Sequence, residues 1–109
     1  MKQARLFELH AEVCKTLSNP VRLRIINELQ AGEMTVGALA KKLGIRQAHV
    51  SQHLAVLRQR GVVNTRRNGP NIYYGISNLK IVKACSLIRE VLLEQLQKDQ
   101  RIMAEIRNE

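Results

Sequence analysis

Between Met34 and Arg89 the sequence has no aspartate or glutamate. All nine acids of the 109-residue chain lie outside that stretch, which holds Lys41, Lys42, Arg46, Arg58, Arg60, Arg66, Arg67, Lys80, Lys83 and Arg89. A solvated surface without a partner mixes both signs, so an acid-free segment of this length reads as a face laid under a polyanion. The net charge of +9 points the same way, and nucleic acid is the first candidate.

Other absences narrow the classes. No apolar run is long enough to span a bilayer, and the opening MKQARLFELH lacks the apolar stretch of a secretory signal. The expectation is a soluble, cytoplasmic protein with no membrane partner. Only two cysteines occur, Cys14 and Cys85, far apart in the chain, which argues against a disulfide framework and leaves free thiols. There is no nucleophile–base pair and no glycine-rich phosphate loop, and the carboxylates cluster at the ends, so neither an enzyme nor a cofactor is expected. With 45% apolar residues the chain can build one core, and a single domain over 1–109 is expected.

The turn signals cut the chain into short helices. A first amphipathic helix over about 4–17 carries Leu6, Leu9, Val13 and Leu17 on one stripe. Ser18-Asn19-Pro20 supplies an N-cap and a proline at the first helical position of a second helix, whose apolar face is Val21, Leu23, Ile26 and Leu29. Thr35 caps a third, Val36 to Leu43, stopped by Gly44, and a fourth runs from about Gln47 to Arg60 with Val50, Leu54 and Leu57 inward. Two short helices around a glycine turn make a helix-turn-helix.

After Gly61 the period becomes that of strands. Residues 62–67 and 72–76 flank the turn-rich Asn68-Gly69-Pro70-Asn71, which predicts a basic β-hairpin, and at least one of Tyr73 and Tyr74 is expected to pack it onto the body. A final helix of about 29 residues, 79–107, repeats Ile81, Cys85, Ile88, Leu92 and Leu96, then Met103 and Ile106, at near-heptad spacing. At 1.5 Å per residue it would run about 44 Å, more than so small a domain can cover, so a two-fold copy is the natural partner. Its end frays after Leu96 if the apolar-free Gln97-Lys98-Asp99-Gln100-Arg101 stops it. The fold class is mainly α with a β-hairpin wing: a winged helix-turn-helix, homodimeric through its first and last helices.

In a helix-turn-helix the second helix enters the major groove of double-stranded DNA with its first turns against the base edges. The inward set leaves Gln47, Ala48, Ser51, Gln52 and Ala55 outward. Glutamine pairs with adenine, serine adapts, and alanine allows close approach. His49 stands as either a base contact or a surface residue, whereas His53, beside core Leu54, reads as a structural hydrogen-bonding group. Lys41, Lys42 and Arg46 flank the helix entry where phosphates lie, and Arg66 and Arg67 lead to the hairpin tip, in reach of phosphate or a minor groove. A non-specific architectural DNA-coating protein is the alternative.

The segments Leu17-Ser18-Asn19-Pro20-Val21-Arg22-Leu23-Arg24-Ile25-Ile26, Val50-Ser51-Gln52-His53-Leu54 through Leu57, Gly61-Val62-Val63, and Tyr73-Tyr74 with Ile76 resemble the arsenic-repressor (ArsR/SmtB) family over residues 5 to 95. The resemblance implies dimerisation through the first and last helices, recognition by the fourth helix and a wing, and repression at an inverted repeat, released by a metal ion or another inducer.

The sensor departs from the family pattern. Where many members carry a Cys-Val-Cys site, this chain has Thr35-Val36-Gly37, which cannot hold a soft ion. Positions matching the zinc site between the last helices read Asn78, Lys80, Val91 and Glu94, so no metal site is expected there either. Cys14, Cys85 and His10, one turn before Cys14, remain. Three readings stay open: two small buried hydrophobes, a redox or sulfur sensor linking Cys14 to Cys85 or Cys85 to its two-fold mate, or a thiolate site for a soft metal or metalloid.

Overall fold

Local capping chemistry sets three of the helix boundaries. The computed structural model describes residues 2–97 and 99–108, in the order α1 (Lys2–Leu17), α2 (Pro20–Leu29), α3 (Val36–Leu43), α4 (Gln47–Gln59), β1 (Val63–Asn68), β2 (Asn71–Ile76), α5 (Leu79–Leu96) and α6 (Gln100–Arg107). The Asn19 side chain accepts from the N–H groups of Val21 and Arg22, with Pro20 opening α2 where a missing N–H costs nothing. Thr35 caps α3 by accepting from Ala38, and Gly44 closes it at φ 66°, a left-handed conformation that a side chain would strain.

Residues up to Leu79 form one unit and those from Lys80 a second. In the first, the core is Ile25, Ile26 and Leu29 of α2, Leu39 and Leu43 of α3, Val50, Leu54 and Leu57 of α4, and Val62 and Val63 entering the hairpin. Ile25, absent from the expected α2 stripe, is fully buried, while Val21 and Leu23 are only half-buried. The α2 face thus lies rotated from the expected one, because it packs against both other helices of the trihelical core rather than against one.

The hairpin is antiparallel, from Val63 opposite Ile76 to Asn68 opposite Asn71, leaving Gly69-Pro70 as a two-residue loop. Gly69 at φ 62° followed by proline has the sign pattern of a type II′ turn, which suits the twist of a tight hairpin. Its base is tied to the helices by a pairing the periodicity does not reveal. Met34 N–H donates to Tyr74 O at 3.0 Å and Tyr74 N–H to Met34 O at 2.8 Å, so the residue before the α3 cap forms an isolated bridge beside the hairpin.

In the second unit the expected continuous helix over 79–107 is replaced by two. α5 ends at Leu96, and α6 starts afresh at Gln100 with Asp99 as its cap, accepting from Ile102 N–H at 3.3 Å. The physical reason is the apolar-free run 97–101: nothing there is buried by continuing the helix, and an aspartate competes for the backbone. Lys98 lies outside the described residues. No helix among the described residues is long and apolar enough to cross a membrane.

Candidate nucleic-acid interface

Helix α4 separates two chemistries by face. Val50, Leu54 and Leu57 are each 0% exposed, while Gln47, Ala48, His49, Ser51, Gln52 and Ala55 are all exposed. Burial of three branched side chains at spacings of four and three fixes the helix about its own axis, so the polar face is held outward by the core itself. Gln47 lies beside the first turn of α3: its Oε1 is 3.8 Å from where a Cβ on Gly37 would stand. No side chain caps the start of α4, where Arg46 is the N-cap residue, so the positive end of the helix faces solvent.

Lys41 and Lys42 in the last turn of α3, Arg46 at the N-cap of α4, and Arg67 on the wing are all exposed. None of the four side chains has a hydrogen-bond or ion-pair partner among the described residues. Arg66 differs. Its Nε–H donates to Glu33 Oε1 at 3.1 Å and Oε2 at 3.3 Å, and its guanidinium lies 5.0 Å from the centre of the Tyr73 ring. The two neighbouring arginines, expected to act together, point to opposite faces of β1 and have different surroundings.

His53 is half-buried and accepts at Nδ1 from Arg22 Nε at 3.2 Å, a structural hydrogen bond of the kind its position beside Leu54 suggests. Burial pushes its pKa below the ordinary histidine value, and the positive charges of Arg22 and of His49 push it further. His49 is exposed. The residues that periodicity missed are those that brace α3 and α4. Arg22 also donates to Thr16 O at 3.0 Å, and Arg24 donates to Leu43 O at 3.0 Å, satisfying a carbonyl at the end of α3. The only sequence signal for them is that two arginines on a short helix otherwise facing the core need acceptors.

The sensor candidates are distributed unequally. Cys14 and His10 are exposed on α1, one turn apart, and Cys85 is buried at 5% exposure on α5. Among the described residues no three His, Cys, Asp or Glu side chains come together to hold a metal ion.

Known proteins share this architecture. The sequence model of the bacterial regulatory proteins of the arsR family matches residues 19–65. The biofilm growth-associated repressor of Xylella fastidiosa is 40% identical over 85 residues, 78% of this chain and 75% of that protein. The homodimeric winged helix-turn-helix DNA-binding domain of Mycobacterium bovis Mb0332 superposes with a TM-score of 0.79 at 33% identity, covering 89% of this chain and 90% of that one. Reduced HlyU from Vibrio cholerae gives a TM-score of 0.73 at 30% identity over 83% of this chain and 95% of that one. The chain therefore belongs to the arsR family, the winged helix-turn-helix DNA-binding transcriptional regulators of bacteria.

Proposed function

We propose that this chain is a cytoplasmic, sequence-specific repressor that works as one domain and binds an inverted-repeat operator in double-stranded DNA as a homodimer. The observation that carries this reading is the exposed polar face of α4, held outward by three wholly buried side chains and flanked by unpaired cations. Gln47, Ala48, Ser51 and Gln52 read base edges, with His49 beside them, while Lys41, Lys42, Arg46 and Arg67 take phosphates. Arg66 contributes to the wing through its hold on Glu33 and Tyr73.

Two helices supply surface for a second copy. On α1, Leu6 and Phe7 are 63% and 67% exposed, and on α5 Leu87, Ile88, Val91, Leu92 and Leu93 are also exposed. Apolar faces of this extent on a soluble chain call for a partner, and the M. bovis relative is described as homodimeric. A two-fold dimer sets the two α4 helices about 34–36 Å apart, one turn of DNA. Repression is the activity named for the X. fastidiosa relative.

The inducer reading that the structure favours is oxidation at Cys14, the exposed thiol, and the Vibrio relative's structure is described as the reduced form. A two-electron oxidant such as a peroxide would convert Cys14 to a sulfenic acid. The Cys85 thiol then displaces water to give the disulfide. Mass spectrometry after mild peroxide treatment, paired with operator titration, tests this: a Cys14 disulfide with weakened binding supports it, and unmodified cysteines or unchanged affinity refute it. The repressor reading itself is tested by competition at physiological salt. Preference for a selected site over random duplex by about 10³-fold or more is expected, and equal affinity would leave only a DNA-coating protein.

A further inference from the structure

Glu33 immediately precedes the acid-free segment and folds back onto its wing. Pairing of Met34 with Tyr74 brings the chain alongside β2, and Gly75 leaves the room: a Cβ there would come within 3.3 Å of Glu33 Cγ and 3.4 Å of Asn64 Oδ1. The carboxylate then holds Arg66 by both oxygens, over the Tyr73 ring. The side chains of the pair are 53% and 40% exposed, so the bond is open to water and to competing anions.

We propose that Glu33 sets how strongly the wing binds the DNA backbone, as an internal stand-in for phosphate that neutralises Arg66 and leaves Arg67 as the wing's only arginine without a side-chain partner among the described residues. This rests on the DNA-binding reading above. Phosphate contacts add affinity for every sequence equally, so a cation withheld from the backbone lowers affinity for every duplex and makes it less dependent on salt. Glu33 thereby lowers non-specific affinity without touching DNA, and the wing's cationic strength is set from the α2–α3 connection.

The test measures affinity for a random-sequence duplex as a function of salt, using the full chain and the isosteric E33Q, which preserves the packing over Gly75. E33Q is expected to steepen the plot of log affinity against log salt by about 0.9, one more phosphate, so that between about 50 and 200 mM salt it loses about three- to four-fold more affinity than the unaltered chain. The double variant E33Q/R66A should return to the original slope. An unchanged slope for E33Q, or a steepening that persists in E33Q/R66A, overturns the proposal, because the acid would then act through the general field or not at all. If neither Lys41→Ala nor Arg67→Ala weakens binding of the unaltered chain, the DNA-facing assignment itself fails and takes this one with it.

Discussion

Arg22 of α2 donates its Nε–H to Nδ1 of His53 on α4 at 3.2 Å, and the same guanidinium donates to the carbonyl of Thr16 at the end of α1. One side chain thus joins three helices, and it does so only while the imidazole is neutral and Nδ1 is an acceptor. Protonation would set an N–H against a guanidinium.

Folding stability should therefore depend on pH in a definite direction. The folded-state pKa of His53 lies below its unfolded value near 6.5, so the unfolded chain binds the extra proton first. The contribution is complete above about pH 6.5 and is lost as pH falls below it. Thermal melts from pH 8 down to pH 5 should show the unaltered chain losing stability relative to His53→Asn, which does not titrate. A stability difference between the two that stays constant with pH would contradict the assignment.

Base reading and phosphate anchoring should separate by mutation. Gln47→Ala is expected to cost about 1–3 kcal/mol on the preferred operator, relax one base position and barely change binding to random duplex. Arg67→Ala should weaken both alike and reduce the salt slope by about 1. Equal losses on operator and random DNA for Gln47→Ala, measured by fluorescence anisotropy, would remove Gln47 from the reading face.

Asn19 caps α2 through two backbone N–H groups, so Asn19→Ala should cost about 1 kcal/mol in denaturant unfolding. The base preference should be unchanged, because the cap's hydrogen bonds stay within the first turn of α2.

Leu6 lies on the exposed face of α1, outside the core, so Leu6→Glu should leave the monomer folded while opposing association. Sedimentation is expected to show a shift towards monomer with helicity retained, together with weaker operator binding. A dimer of undiminished strength would place the interface elsewhere.

Local chemistry made much of this fold legible. The cap residues Asn19 and Thr35, the breaker Gly44 and the inward set Val50, Leu54 and Leu57 act within a turn or two of where they stand, and each occupies the role expected. The features that escaped depend on distant partners. The acid-free segment is continuous only along the chain, since Glu33 returns to Arg66 and Glu12 to Arg60 at 3.8 Å. Likewise the burial of Ile25, the Met34–Tyr74 pairing and the acceptors of Arg22 and Arg24 arise from packing that one-dimensional periodicity does not contain. Helix continuity past Leu96 failed for a local reason, the capping aspartate at 99, which a heptad count overlooks.

The central claim is that two copies of α4 read one turn of DNA together. Selecting the genomic fragments bound by the purified chain tests it most directly. The account predicts one enriched sequence with two-fold symmetry, its half-sites centred about 10–10.5 base pairs or a multiple apart. Fragments with no shared sequence, or with a single unrepeated half-site, would contradict it.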